Sequence, residues 1–299
     1  MERFSGNPIL KPIEEHSWES REVFNAAAIY LDGKVHLLYR ALGNDNVSRL
    51  GLATSCDGFN FNERLPEPVF SPQSEVEKDG CEDPRIVEVE GHLAMTYTAL
   101  CEYNHLQIFQ VALTTIAKGD FVKRNWNWGP RKLPFPGIRN KNAVIFPEKQ
   151  DGAYVMLHRI EPDICIAFSE DLTHWCDIMS VMKPRVHGWD NWKIGVAGTP
   201  LKVSEGWLVI YHGVSVERMY SLGMVLLDGE NPERVLYRSK EPILTPKMDY
   251  ERYGKVPNVV FSCGNVVLDD KLLLYYGGAD SVLCVASIGL DELLSQIRR

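Results

Sequence analysis

Ala26-Ala27-Ala28-Ile29-Tyr30, then Asp32-Gly33, then Val35-His36-Leu37-Leu38-Tyr39 is the stretch from which the fold is read. Two runs of β-forming residues flank an Asp-Gly dipeptide, the turn chemistry of a tight β-hairpin. The same pattern returns four more times. Arg85-Ile86-Val87 and Leu93 to Tyr97 flank Glu90-Gly91, and Ala143 to Phe146 and Tyr154 to His158 flank Asp151-Gly152. Pro200 to Val203 and Trp207 to His212 flank Glu205-Gly206, and Asn265 to Leu268 and Leu272 to Tyr276 flank Asp269-Asp270. Turn positions 32, 90, 151, 205 and 269 lie 58, 61, 54 and 64 residues apart, room for four strands plus loops in each repeat.

A third apolar strand follows the hairpin, clearest at Gly51–Gly58, Ile164–Asp171 and Leu283–Ser287. A fourth, Pro-flanked strand is expected at Glu67-Pro68-Val69-Phe70, at Glu241-Pro242-Ile243-Leu244, and at Asn7-Pro8-Ile9-Leu10 near the start of the chain. The last repeat lacks a fourth strand of its own while the chain begins with one. The N-terminal strand is therefore expected to complete the C-terminal repeat and close a ring, which leaves no long open edge. Asp291 to Arg298 reads as a short helix. With no linker or charge shift dividing the chain, the reading is all-β, one five-bladed β-propeller spanning residues 1–299.

Composition agrees and excludes other classes. The 299 residues carry a formal net charge of −8 with 45% hydrophobic residues, too apolar for a disordered chain. The acidic balance argues against a nucleic-acid binder. No apolar run reaches the ~20 residues of a membrane-spanning helix, and the first residues show no apolar leader, so a cytoplasmic protein is expected. Seven cysteines without a C-x-x-C pair read as reduced and mostly buried. His, Cys and carboxylates form no cluster with ligand spacing, so no metal or cofactor is expected. The oligomeric state is left open, a homo-oligomer being one of the states allowed.

Counting from each turn gives a register for the end of the ring where the hairpins open. Asn25 and Asp83 lie seven residues before their turns, Arg40 and Arg159 eight after, and Tyr39, Tyr97, His158, His212 and Tyr276 seven after. Lys141 and Lys193 precede the first strands of the third and fourth repeats. All are expected at one end of the axis. Each alone reads more readily as packing or a surface ion pair, and Asp83 can be a turn-forming Asp before Pro. Three cations gathered from two repeats, however, imply a bound anion, because burying them uncompensated is expensive. Phosphate suits a site that combines Arg forks with Lys point charges.

Cys81-Glu82-Asp83-Pro84-Arg85, Asn140 to Glu148, Leu157-His158-Arg159, Tyr211-His212-Gly213-Val214, Gly223 to Asp228 and Tyr275 to Asp280 together resemble glycoside hydrolase family 130, the mannoside phosphorylases and related β-mannosidases. The resemblance implies a five-bladed propeller that cleaves β-mannosides with inorganic phosphate, inverting the anomeric centre to give α-mannose 1-phosphate. It implies that Asp83 is the general acid, acting through the mannose 3-hydroxyl. Asn25, Arg40 and Asp280 match positions that hold the mannosyl unit, with Arg49 an additional pocket residue. Lys141, Arg159, Lys193, His212 and Tyr220 match the phosphate-binding set. Asn142 stands where the family often has Asp.

An inverting hydrolase needs a second carboxylate as base for water, whereas phosphate brings its own negative charge and needs an acid and a cationic cradle. An acid such as Asp83 needs a raised pKa to be protonated near neutrality, which neighbouring phosphate and sugar burial supply. Tyr103, Trp126, Trp128, Trp189 and Trp192 lie in loops where they either stack on sugar or pack, and packing is the expected role for most. Two other readings stand beside the phosphorylase: a β-mannoside hydrolase with Glu161, Asp163 or Glu148 as base, and a non-catalytic sugar-binding propeller.

Overall fold

In a computed structural model that describes residues 1–298, four of the five turns have both central residues at positive φ: Asp32-Gly33, Glu90-Gly91, Asp151-Gly152 and Asp269-Asp270. That is the turn geometry whose twist matches paired strands, and it favours Asp and Gly. The fourth turn is one residue earlier than expected. Val203 pairs with Gly206, so Ser204-Glu205 form the turn and Gly206 begins the next strand. Gly206 has φ +142°, and a Cβ there would stand 2.2 Å from the Leu227 carbonyl oxygen, which explains glycine at that position.

The strands fall into five antiparallel units. The first contains Glu22–Leu31, Lys34–Leu42, Ser48–Ser55 and Glu63–Arg64; the second contains Gly80–Val89, His92–Tyr103 and Leu106–Ala117. A single parallel pairing, Ser48 with Gly80, joins these two into one sheet. The third comprises Lys141–Ile145, Tyr154–Ile160, Asp163–Ser169 and Cys176–Met182. In the fourth, two short strands, Lys193–Val196 and Leu201–Val203, share the partner Gly206–Val214, followed by Tyr220–Leu227 and Val235–Arg238. The fifth is Val260–Leu268, Lys271–Gly278 and Val282–Gly289, completed by Glu2–Arg3 from the other end of the chain. The expected pairing of the N-terminal segment with the last unit is therefore present.

The Pro-flanked segments are not strands. Each makes one isolated bridge to a third strand, Leu10 to Leu283, Leu50 to Phe70 and Leu222 to Leu244. Proline has no N–H for a continued ladder, so pairing begins only at the next residue: Ile9, Val69 and Ile243 each donate to the same third-strand residue that the bridge uses. The outer strands of the first, third and fourth units lie upstream of, or away from, these segments. The C-terminal helix covers Leu290–Leu294, and short helices at Lys118–Val122 and Asp249–Arg252 occupy connections with no helical sequence pattern.

Five large apolar clusters fill the gaps between consecutive units. Tyr97, Phe70 and Leu52 belong to the gap between first and second, Val111 and Met156 to second and third, and Ile166 and Trp207 to third and fourth. Met224 and Leu274 lie between fourth and fifth, and Tyr275 and Leu37 between fifth and first. Both faces of each sheet are thus covered, and the inner strands read as continuous apolar runs for that reason.

The second strands also carry a repeated polar feature. Tyr39, Tyr97, Tyr211 and Tyr276 donate from their hydroxyls to Glu19, Glu77, Asp190 and Glu251, all buried. Arg64, Arg131, Arg238 and Arg3 close each carboxylate from the far side. Such a buried carboxylate is tolerable only because an arginine and a hydroxyl satisfy it. In the third unit His158 pairs with Asn140 instead.

Candidate active site

The inner strands of the first three units each carry a β-bulge near their start. Asn25-Ala26, Asp83-Pro84 and Asn142-Ala143 oppose the single residues Tyr39, Tyr97 and His158. The first residue of each bulge is left-handed: Asn25 φ 47°, Asp83 φ 49°, Asn142 φ 57°. Asn and Asp tolerate that conformation best among residues with side chains, and a bulge re-aims the side chain it carries. All three line a single cavity of about 190 Å³ together with Arg40, Lys141, Arg159, Lys193, Tyr220 and Asp280. Val256, Val259 and Phe261 supply its apolar wall. Every unit contributes, so residues up to 255 positions apart in sequence meet.

Of the residues singled out from sequence, eight therefore line the cavity; His212 and Arg49 do not. His212 is fully buried behind the wall, its ring tilted against Phe261 at 4.6 Å, with Nε2 3.5 Å from both Arg159 Nη1 and Asn142 Nδ2. Arg49 turns away and pairs with Asp45 at 2.7 Å. The expectation that the residues seven past each turn face the axis is corrected as well. Alternation on a strand sends positions seven and eight to opposite faces, and position seven is committed to the carboxylates described above. With the fourth turn at Ser204, Tyr211 becomes its position-seven residue and His212 joins Arg40 and Arg159 at position eight. Val256, Val259 and Phe261 were not found from sequence, and Asn142 was noted only as standing where the family often has Asp. The available signal for Asn142 was an Asn followed by Ala at a strand start, as in Asn25-Ala26.

Asp83 Oδ1 accepts from Asn25 Nδ2 at 2.9 Å and from Arg40 Nη1 at 3.1 Å. Arg40 also donates to Glu82, and Lys141 Nζ stands 3.8 Å from Glu82. Lys193 pairs with Glu161 at 3.0 Å. Burial disfavours the charged Asp83 carboxylate, but Arg40, Lys141 and the Asn25 hydrogen bond outweigh it and hold its pKa below the usual range. The surrounding cations thus favour ionised Asp83, where a raised value was expected from sequence. The raised carboxyl is Asp280, pushed up to about 6 by burial against the pull of Arg40. Burial, reinforced by Arg159, keeps His212 neutral. Burial likewise disfavours the Arg159 and Lys193 cations, whose pKa values are lowered.

None of the three carboxylates considered as a base lines the cavity: Glu161 pairs with Lys193, Asp163 accepts from the Ser180 hydroxyl at 2.7 Å, and Glu148 is exposed. Among the loop aromatics, Trp126 and Trp128 pack on the cluster between the first and second units, and Trp189 stacks on Tyr211 at 5.4 Å. Tyr103 and Trp192 are exposed, Trp192 with Lys193 Nζ 4.5 Å from its ring.

Comparison with known proteins agrees with this geometry. The family model described as beta-1,4-mannooligosaccharide phosphorylase matches residues 1–299. A 1,2-beta-oligomannan phosphorylase of Thermoanaerobacter sp. (strain X514) is 44% identical over 300 residues, covering 98% of each chain. The structure of a beta-1,2-mannobiose phosphorylase from Listeria innocua in complex with beta-1,2-mannobiose superposes with a TM-score of 0.85 at 27% identity, covering 99% of both chains. A structure reported under the finding that the GH130 family of mannoside phosphorylases contains hydrolases targeting beta-1,2 mannosidic linkages in Candida mannan matches with a TM-score of 0.87 at 30% identity, covering 97% of this chain and 94% of that one. An Asp83 cavity ringed by cations, on a frame shared along its whole length with these proteins, places the chain in glycoside hydrolase family 130.

Proposed function

We propose that this protein phosphorolyses β-1,2-linked mannosides, giving α-mannose 1-phosphate and a shortened acceptor. The observation that carries the reading is the convergence of Lys141, Arg159 and Lys193 on the cavity that holds Asp83. A hydrolase has little use for that charge, and the relative at 44% identity is a phosphorylase of β-1,2-oligomannan. Phosphate sits among Lys141, Asn142, Arg159 and Lys193, with Tyr220 at the edge and His212 behind Arg159. Asn25, Arg40 and Asp280 hold the mannosyl unit, and the Val256–Phe261 wall covers its apolar face.

In the reaction a phosphate oxygen forms a bond to the anomeric carbon from the face opposite the leaving group. The glycosidic bond breaks, and the proton held by Asp83 passes by way of the sugar 3-hydroxyl to the departing oxygen. The cations around Asp83 favour its ionised form. An incoming phosphate dianion cancels that field and the sugar expels water, and both changes raise the Asp83 pKa and let it carry a proton. The acid is armed only when both substrates are bound.

The frame for this site is a single-domain, five-bladed β-propeller. The five antiparallel units, the apolar cluster between the fifth and first, and the N-terminal strand in the last sheet support that reading. The second reading, hydrolysis, is favoured by the hydrolases known in the family. Incubation with β-1,2-mannobiose and phosphate should yield α-mannose 1-phosphate, with β-1,4-mannobiose turned over more slowly. Free mannose released at an equal rate without phosphate would establish hydrolysis instead.

A further inference from the structure

The four arginines that serve the frame each face a buried carboxylate, as described above. Arg85 breaks that pattern. Its side chain is 2% exposed, yet no carboxylate lies within 4 Å of it among the described residues. Its guanidinium donates only to backbone carbonyls: Nε to Ala197 at 2.6 Å, Nη2 to Val196 at 2.9 Å, and Nη1 to Asp83 at 3.0 Å. The second and fourth units are not consecutive, so this fork reaches across the centre of the molecule beneath the cavity. Arg85 is not a lining residue. It follows the Asp83-Pro84 bulge directly, and its hold on the Asp83 carbonyl fixes the strand turn that aims the carboxylate.

Carbonyl oxygens satisfy the donors but not the charge. A fully buried guanidinium with no counterion is costly, and unlike the four part-buried arginines of the frame this one has no carboxylate. Of the cations that line the cavity, Arg159 alone has no carboxylate within 4 Å among the described residues; Arg40 has Glu82 and Asp83, Lys141 has Glu82, and Lys193 has Glu161. Arg85 and Arg159 thus leave positive charge that no carboxylate pairs directly and that a bound anion would balance.

We propose that Arg85 is a positioning residue of the phosphate site, holding the Asp83 bulge in place and supplying a buried charge that phosphate balances without touching it. This rests on the phosphorolytic reading. The test uses the full chain with Arg85→Gln, which keeps donors and removes the charge, and Arg85→Lys, which keeps the charge and loses the fork. The readouts are the rise in melting temperature caused by inorganic phosphate and the separate KM values for phosphate and β-1,2-mannobiose. Arg85→Gln should weaken phosphate about tenfold or more and shrink its thermal protection, with the mannobiose KM changed less than about threefold. Arg85→Lys should keep the phosphate KM within about threefold while kcat falls. Wild-type protein that phosphate neither protects nor serves as substrate would overturn the phosphorolytic reading and this proposal together. With wild-type protected, equal phosphate KM in Arg85→Gln, or equal changes in both KM values, would overturn this proposal alone. A chain that folds with neither substitution would make Arg85 a frame residue and overturn it likewise.

Discussion

Asp83 illustrates how much one residue's role depends on its neighbours. The carboxylate is held by Asn25 and Arg40 in a left-handed bulge, so its position does not depend on its charge. Asp83→Asn should therefore fold normally, with an unchanged melting temperature to within a few degrees. Its turnover should fall at least ~100-fold, since general acid catalysis contributes ~10²–10⁴. A variant with more than about a tenth of wild-type activity would exclude the acid role. Arg159 reaches the cavity from the far side and has no carboxylate partner within 4 Å among the described residues. Arg159→Ala should raise the phosphate KM by an order of magnitude or more, because a lost charge-assisted contact leaves the anion poorly held. The mannoside KM should change little, and initial-rate kinetics with each substrate varied separately will show the split.

At the level of elements, the hairpins were legible because their signals are local. A turn dipeptide and alternating β-formers need no partner from elsewhere to be recognised. The fourth turn misled by one residue because Glu205-Gly206 carries the local turn signal, while the register Ser204-Glu205 is set by what lies against Gly206, and that is Leu227 of a neighbouring strand. The Tyr–carboxylate–Arg sets escaped notice for the same reason: Asp190, Tyr211 and Arg238 come from three separate stretches of the chain. These sets make the units rigid where the cavity needs it. Asp190 is fully buried and accepts from Arg185, Arg238 and Tyr211. Asp190→Asn should cost about 3–5 kcal/mol, the usual result of stranding a buried cation. The exposed Asp171, which caps its own turn, should cost far less than Asp190 when changed to Asn. Denaturant midpoints of the two variants provide the comparison.

Across the whole molecule, five apolar clusters between units make each unit depend on both its neighbours, and the pH response reports on that shared interior. His158 and His212 are buried and neutral; burial lowers His158 to about 4 and His212 well below the ordinary value. Their folded pKa values lie below the unfolded value of ~6.5, so the unfolded chain binds protons first as pH falls. Stability is then full above pH ~6.5 and declines as pH drops from there toward 4. Between pH 7 and pH 5 His158 should cost roughly 2 kcal/mol of stability, at ~1.4 kcal/mol per pH unit, with His212 acting in the same direction and Asp280, which takes up a proton in the folded state near pH 6, partly offsetting them. Unfolding at the two pH values measures it, and His158→Gln should remove part of the slope. A slope that His158→Gln leaves unchanged would mean that this ring takes up its proton in the folded state.

The amino-acid sequence by itself determined the hairpins, their five-fold recurrence, the return of the N-terminal segment to the last sheet, and most of the cavity-lining residues. Those features follow from turn chemistry, strand alternation and spacing along the chain, all of which act over short distances. Tertiary structure alone decided which face Tyr211 and His212 take, that Arg49 leaves the site, and that Asn142 and an apolar wall enter it. It also decided the charge on Asp83. A pKa is set by the field of every neighbouring unit, and that field exists only once Arg40, Lys141 and Arg85 have been brought together by folding.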